Sequence, residues 1–139
     1  MKRLATVALI VPVLLAGCQA AERPQPERSA AQQYSTGGDA ADSPCTRVVS
    51  ALGYAGLMLE PKGREDHQNF EDAVIGRLAE ARGITLQFGD RLPASLKEAV
   101  ETVRTTTAGL SRNDVPRARQ VELLRQYRMA ADAIVAGCA

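Results

Sequence analysis

Residues 117–139 read RARQVELLRQYRMAADAIVAGCA, and within them Leu124, Tyr127, Ala131, Ile134 and Cys138 recur at steps of three, four, three and four. A helix turning once per 3.6 residues lays those five side chains along one face. Strict alternation, the mark of a half-buried strand, is absent. The segment is expected to start after Asn113-Asp114, with Pro116 in the first turn, where a missing N–H costs little. An apolar stripe of this length is stable only when other elements cover it, because an isolated helix is marginal in water.

Working back from that stripe, three further helical segments supply the cover. The third is expected from about Pro93, with Ser95-Leu96-Lys97-Glu98 as a capping box. Leu92, Leu96, Ala99, Val100 and Val103 form its stripe, Thr105-Thr106-Thr107 weakens its end and Gly109 terminates it. The second is expected from Glu65-Asp66, acidic residues suited to a helix N-terminus. Phe70, Ala73, Val74, Leu78 and Ala81 mark its face, and Arg82-Gly83 reads as a basic last turn with a C′ glycine. Ile84-Thr85-Leu86-Gln87-Phe88 alternates apolar and polar residues, but a lone strand has no pairing partner here. It is expected as an extended connection that lays Ile84, Leu86 and Phe88 on the core.

The first segment opens at Ser43-Pro44, a cap residue followed by proline at the first helical position. Cys45, Val49, Leu52, Gly56 and Leu59 give its periodicity, and Pro61-Lys62-Gly63 stops it. Aromatic residues make up 4% of the chain and Trp is absent, so the core is built from Leu, Val, Ile and Ala, which suits packed helices. Short connections favour antiparallel neighbours. The fold class is therefore all-α: a small four-helix, mostly antiparallel bundle over residues 44–139. The alternative is a three-helix core with the first helix packed across it.

The N-terminus reads differently. Lys2 and Arg3 precede a nearly unbroken apolar run, LATVALIVPVLL over residues 4–15, and then Leu15-Ala16-Gly17-Cys18. The run is too short to span a bilayer, which takes about 20 residues, and Pro12 interrupts it; its length is that of a signal-peptide core. Leu15-Ala16-Gly17-Cys18 resembles the lipobox of bacterial lipoproteins. The resemblance covers only the first 18 residues, and it implies cleavage between Gly17 and Cys18, acylation of Cys18 and retention on the extracytoplasmic side of a membrane. One acyl chain holds a protein only marginally, at about 0.8 kcal/mol per buried CH₂, and the two or three chains of that family hold it stably. By the family's sorting rule Gln19, which is not Asp, favours the outer membrane where an organism has two.

Residues 19–43, QAAERPQPERSAAQQYSTGGDAADS, contain one large apolar side chain, Tyr34, and are broken by Pro24, Pro26, Gly37 and Gly38. Such a segment buries too little surface to offset the entropy of ordering. It is expected to be a flexible tether averaging roughly 25–30 Å end to end. The organisation is thus a signal peptide over 1–17, a lipidated tether over 18–43 and a helical domain over 44–139.

Loss of Lys2 and Arg3 with the signal peptide lowers the 17 basic residues to 15 against 16 acidic ones, a balance of −1. That balance argues against nucleic acid as a partner. The expected partners are the membrane, through Cys18, and an envelope protein. No cofactor and no metal are expected. His67, the one histidine, makes an i, i+4 pair with Glu71, but two ligands are too few for zinc, and a solvated helix start explains both. No Gly-x-Ser-x-Gly elbow and no phosphate-cradling glycine loop occurs. Glu71-Asp72 and Glu98/Glu101 are carboxylates of the kind any soluble helix carries. Arg117, Arg119, Arg125 and Arg128 make the last helix locally basic, interrupted by Glu122 and Asp132, with Glu122–Arg125 at i, i+3; they read as a solvated face. No catalytic residue stands out. The expected function is a non-catalytic binding module, with a small-ligand binder and an enzyme with a dispersed site as the other readings.

With Cys18 acylated, Cys45 and Cys138 remain in a compartment where disulfides persist. Cys45 opens the first helix and Cys138 closes the fourth, and in an up-down-up-down bundle those points share one end. Both fall on apolar stripes, so a disulfide between them is expected.

Overall fold

The computed structural model describes residues 41–139. The signal peptide, Gly17, Cys18 and the tether through residue 40 lie outside the described residues. Within them, four helices follow one another: α1 (Pro44–Gly56), α2 (Asp72–Phe88), α3 (Lys97–Leu110) and α4 (Arg117–Gly137). Three 3₁₀ turns, Glu65–His67, Gly89–Arg91 and Ala94–Leu96, lie in the connections. The described residues contain no strand, and the fold is the expected all-α helical bundle.

Neighbouring helices run antiparallel. A Cβ on Gly109 would meet Leu123 at 2.8 Å, and one on Gly137 would meet Leu96 at 2.6 Å, so α4 descends as α3 ascends. Arg104 donates to the Thr85 carbonyl, and a Cβ on Gly89 would meet Val100, which sets α2 against α3 in the same sense. Glycine at 89, 109 and 137 is what lets these backbones approach so closely. The shared core comprises Val48, Leu52 and Ala55 from α1, Val74, Leu78 and Ala81 from α2, Val100, Val103 and Leu110 from α3, and Leu124, Tyr127 and Ile134 from α4.

The start of α1 is as its sequence suggests: the Ser43 hydroxyl accepts from the Thr46 N–H at 3.0 Å, and Pro44 occupies the first turn. Its buried face is rotated from the expected one. Val48 and Ala55 are buried where Val49 is half-buried and Gly56 exposed. The helix ends at Gly56, five residues before Pro61.

Two expectations fail in α2. Glu65–His67 is a separate 3₁₀ turn, and the helix begins only at Asp72, leaving Phe70 in the connection and Ala73 on the surface. At the other end, Arg82-Gly83 does not stop the helix, and Ile84–Phe88 is its last turn rather than an extended connection. Burial there reverses the polarity of the sequence: Thr85 is fully buried and Leu86 is 47% exposed. Thr85 is tolerated because its hydroxyl donates to the Ala81 carbonyl at 2.7 Å, which satisfies it inside the helix.

The Ser95 capping box does not form; Leu96 is the cap residue of α3 and no side chain caps it. The threonine run does not weaken α3 either. Thr106 and Thr107 are buried with hydroxyls bonded to the Thr102 and Val103 carbonyls at 2.6 Å each, and the helix continues past Gly109 to Leu110. Pro116 is the cap residue of α4. Cys45 and Cys138 lie at disulfide distance, Cα atoms 5.5 Å apart across 93 residues, at the shared end of α1 and α4.

Candidate functional site

The most elaborated polar region is the connection between α1 and α2, residues 57–71, which forms a strap along α4. Glu65 is buried, with 5% of its surface exposed. Its Oε1 accepts from the Gly63 N–H at 3.1 Å and lies 3.3 Å from Arg128 Nε, and its Oε2 lies 3.9 Å from Arg125 Nε. Gly63 adopts φ +86°, the left-handed conformation that glycine reaches at no steric cost, and this aims its N–H at the carboxylate. Backbone N–H groups, first Glu65's own and then Gly63's, hold the carboxyl below the usual range, with help from Arg128 and Arg125 and against the opposing effect of burial.

Further contacts bind the strap to α4. Arg128 donates to the Glu60 carbonyl, and Arg117 donates to the Asp66 carbonyl at 2.7 Å and stacks over the Phe70 ring. Lys62 pairs with Asp132 at 2.7 Å. Gln68, buried in the strap, accepts from the Glu60 N–H at 2.7 Å and donates to the Asn69 carbonyl. The expectation that the α4 arginines form a solvated face holds for Arg117, Arg119 and Arg125, which are exposed, and fails for Arg128, whose side chain is only 11% exposed. Arg117 and Arg125 reach the strap from that exposed face. Glu122 accepts from Gln126 at 2.8 Å instead of pairing along the helix with Arg125, which turns towards Glu65.

His67 ends the 3₁₀ turn and Glu71 precedes α2, so the two do not share a helix face. His67 Nδ1 sits 3.1 Å from Asp66 Oδ1, with both side chains more than half exposed. Glu71, Asp72, Glu98 and Glu101 are spread over the surface, and Glu101 lies 3.7 Å from Arg104. Among the described residues no group of three or more His, Cys, Asp or Glu side chains is placed to hold a metal. None of their helices is long and apolar enough to cross a membrane.

Two cavities stand out. One of about 610 Å³ lies over α3, walled by Leu92, Pro93, Val100 and Arg104. The Arg104 guanidinium there is held by Asp90 at 2.9 Å and by the Thr85 carbonyl. The second, of about 400 Å³, lies between α1 and α4 under the strap, with Leu52, Gly53 and Gly56 on one wall, Tyr127, Ala131 and Val135 on the other, and the charged residues Glu60, Lys62, Arg128 and Asp132 also lining it. The Tyr127 hydroxyl is buried and has no hydrogen-bond partner, and burial pushes its ionisation well above the ordinary phenol range. Sequence reading placed Tyr127 on the core stripe, but nothing in the periodicity shows whether a buried hydroxyl finds a partner. No family model, no curated protein and no solved structure matches the chain.

Proposed function

We propose that the chain is an exported lipoprotein, cut before Cys18 and held on the extracytoplasmic side of a membrane by acyl chains on that cysteine, whose helical domain binds another envelope component without catalysis. The observation that carries this reading is the division of the three cysteines. Cys45 and Cys138 lie at disulfide distance, and the third ends Leu15-Ala16-Gly17-Cys18 behind an apolar run. A disulfide suits a compartment outside the cytosol, and Cys18 is left for acylation.

The tether joins the domain at Ser43, at the cysteine end. With its 13 residues α1 is about 20 Å long, so the strap end stands that far from the point of attachment. Leu57, 80% exposed, lies at that distal end. Crosslinking intact envelopes and recovering the protein tests the reading: one envelope protein should co-purify with the wild type and be lost from the Cys18→Ser variant, which should leave the membrane fraction. Absence of any crosslinked species, together with turnover on a hydrolase panel that dies with His67→Ala, would replace it with the enzyme reading.

A further inference from the structure

The cavity over α3, of about 610 Å³, falls in the range of small-molecule sites, about 300–1,000 Å³, which pair an apolar lining with a few polar groups that fix orientation. The 3₁₀ turns Gly89–Arg91 and Ala94–Leu96 form one bank and the first two turns of α3 the other. Lys97, Val100, Glu101 and Arg104 follow at steps of three, one and three, so a helix presents all four on that bank. The cavity opens to solvent: Pro93, Ala94, Lys97 and Glu101 are exposed along it, and no segment has to move to admit a ligand. Leu92, Pro93, Ala94 and Val100 make most of the lining apolar. Its four charged side chains, Lys97 and Arg104 against Asp90 and Glu101, balance to zero but are unevenly engaged. Arg104 is committed to Asp90 at 2.9 Å and to the Thr85 carbonyl. Glu101 comes only within 3.7 Å of Arg104, beyond hydrogen-bond distance. The Lys97 ammonium makes no ion pair or hydrogen bond among the described residues.

We propose that the cavity over α3 binds a small zwitterion with an apolar body, of the class of a free apolar α-amino acid, whose carboxylate accepts from Lys97 and whose ammonium donates to Glu101. The apolar body lies on Leu92, Pro93 and Val100, away from water. Charge complementarity selects the zwitterion. A carboxylate alone would add negative charge beside Asp90 and Glu101, and an ammonium alone would add positive charge beside Lys97 and Arg104. A molecule carrying both leaves the balance at zero and engages the two groups that the fold leaves without a close partner. Arg104, fixed by Asp90 and Thr85, holds that bank in place without taking the ligand itself. This inference depends neither on acylation of Cys18 nor on an envelope partner.

The test uses the full mature chain carrying Cys18→Ser, free of detergent, titrated at pH 7 and followed by amide NMR shifts. The probes are phenylalanine, 3-phenylpropanoate, which lacks the ammonium, and 2-phenylethylamine, which lacks the carboxylate. Phenylalanine should give saturable shifts centred on residues 89–104. It should bind roughly two- to fivefold more tightly than either analogue, the ratio expected of one solvent-exposed ion pair. Lys97→Met should bring phenylalanine level with 2-phenylethylamine, and Glu101→Gln should bring it level with 3-phenylpropanoate. Both positions are exposed, so both variants should melt like the parent. Ala94→Trp, at an exposed position on the bank, should fill the cavity and abolish the saturable shifts for all three probes. Shifts that do not saturate, shifts confined to other segments, or either ratio unchanged in its variant would overturn the proposal.

Discussion

Replacing Cys45 and Cys138 together by serine removes the one covalent closure that the domain's geometry offers. The two residues are 93 apart in sequence, so a bridge between them confines nearly the whole domain when it unfolds. The chain-entropy treatment assigns a loop of that length about 4–5 kcal/mol at 25 °C. Small domains have about 5–15 kcal/mol in all, so the loss is a large share. For a domain of roughly 95 residues it corresponds to a drop in Tm of roughly 20–35 °C. Both positions are half-buried, so a serine hydroxyl reaches water there and adds little penalty of its own. Urea unfolding followed by far-UV circular dichroism is the assay. The double variant should unfold at a lower midpoint and with a larger m, because its unfolded chain exposes more surface once the cross-link is gone. Coincident midpoints for the two proteins, or two free thiols per chain in unreduced, unfolded wild type with Cys18 blocked, would refute the reasoning.

Three further outcomes follow from the same packing. Gly83→Ala should raise stability by about 0.8–1 kcal/mol in thermal melts, since Gly83 sits inside α2 and an added Cβ meets nothing within 4 Å; a loss of stability would restore the reading of Gly83 as a left-handed helix cap. The Glu65 carboxyl is held below its ordinary value, so its contribution is present above the unfolded value, near 4.5, and is lost as pH falls through the lower folded value. Urea midpoints of the wild type should therefore fall more steeply below pH 4.5 than those of Glu65→Gln, and parallel profiles would count against the buried carboxylate. A chain beginning at Asp42 should melt cooperatively and close to the full mature chain, because Ser43 already caps α1; a large drop would mean that residues 19–41 pack on the domain.

Much of the architecture was legible because it rests on local signals. Ser43-Pro44 announces α1, and the spacing of Leu124, Tyr127, Ile134 and Cys138 announces α4 and orients it. The pairing of Cys45 with Cys138 then followed from topology. The second helix departs from its sequence pattern because the local meaning of glycine and of alternation does not decide there. In the fold, packing overrides the propensity of Gly83, and the Thr85 hydroxyl hides its polarity against the Ala81 carbonyl. The strap was invisible for a different reason. Arg117 meets Asp66 across 51 residues, Arg128 meets Glu60 across 68 and Lys62 meets Asp132 across 70. No local pattern tells an arginine that reaches a distant loop from one that faces water. The cavity beside Tyr127 is equally a product of tertiary packing, since it lies where α1 and α4 fail to fill the space between them.

The proposed function rests on Cys18 as the lipid-bearing first residue of the mature protein. Intact mass spectrometry of protein extracted from membranes, after metabolic labelling with a fatty acid, tests it most directly. The expected species is a chain beginning at Cys18 and carrying two or three acyl chains, with label absent from Cys18→Ser. A mature chain with an unmodified Cys18 thiol, or label that persists in Cys18→Ser, would contradict it.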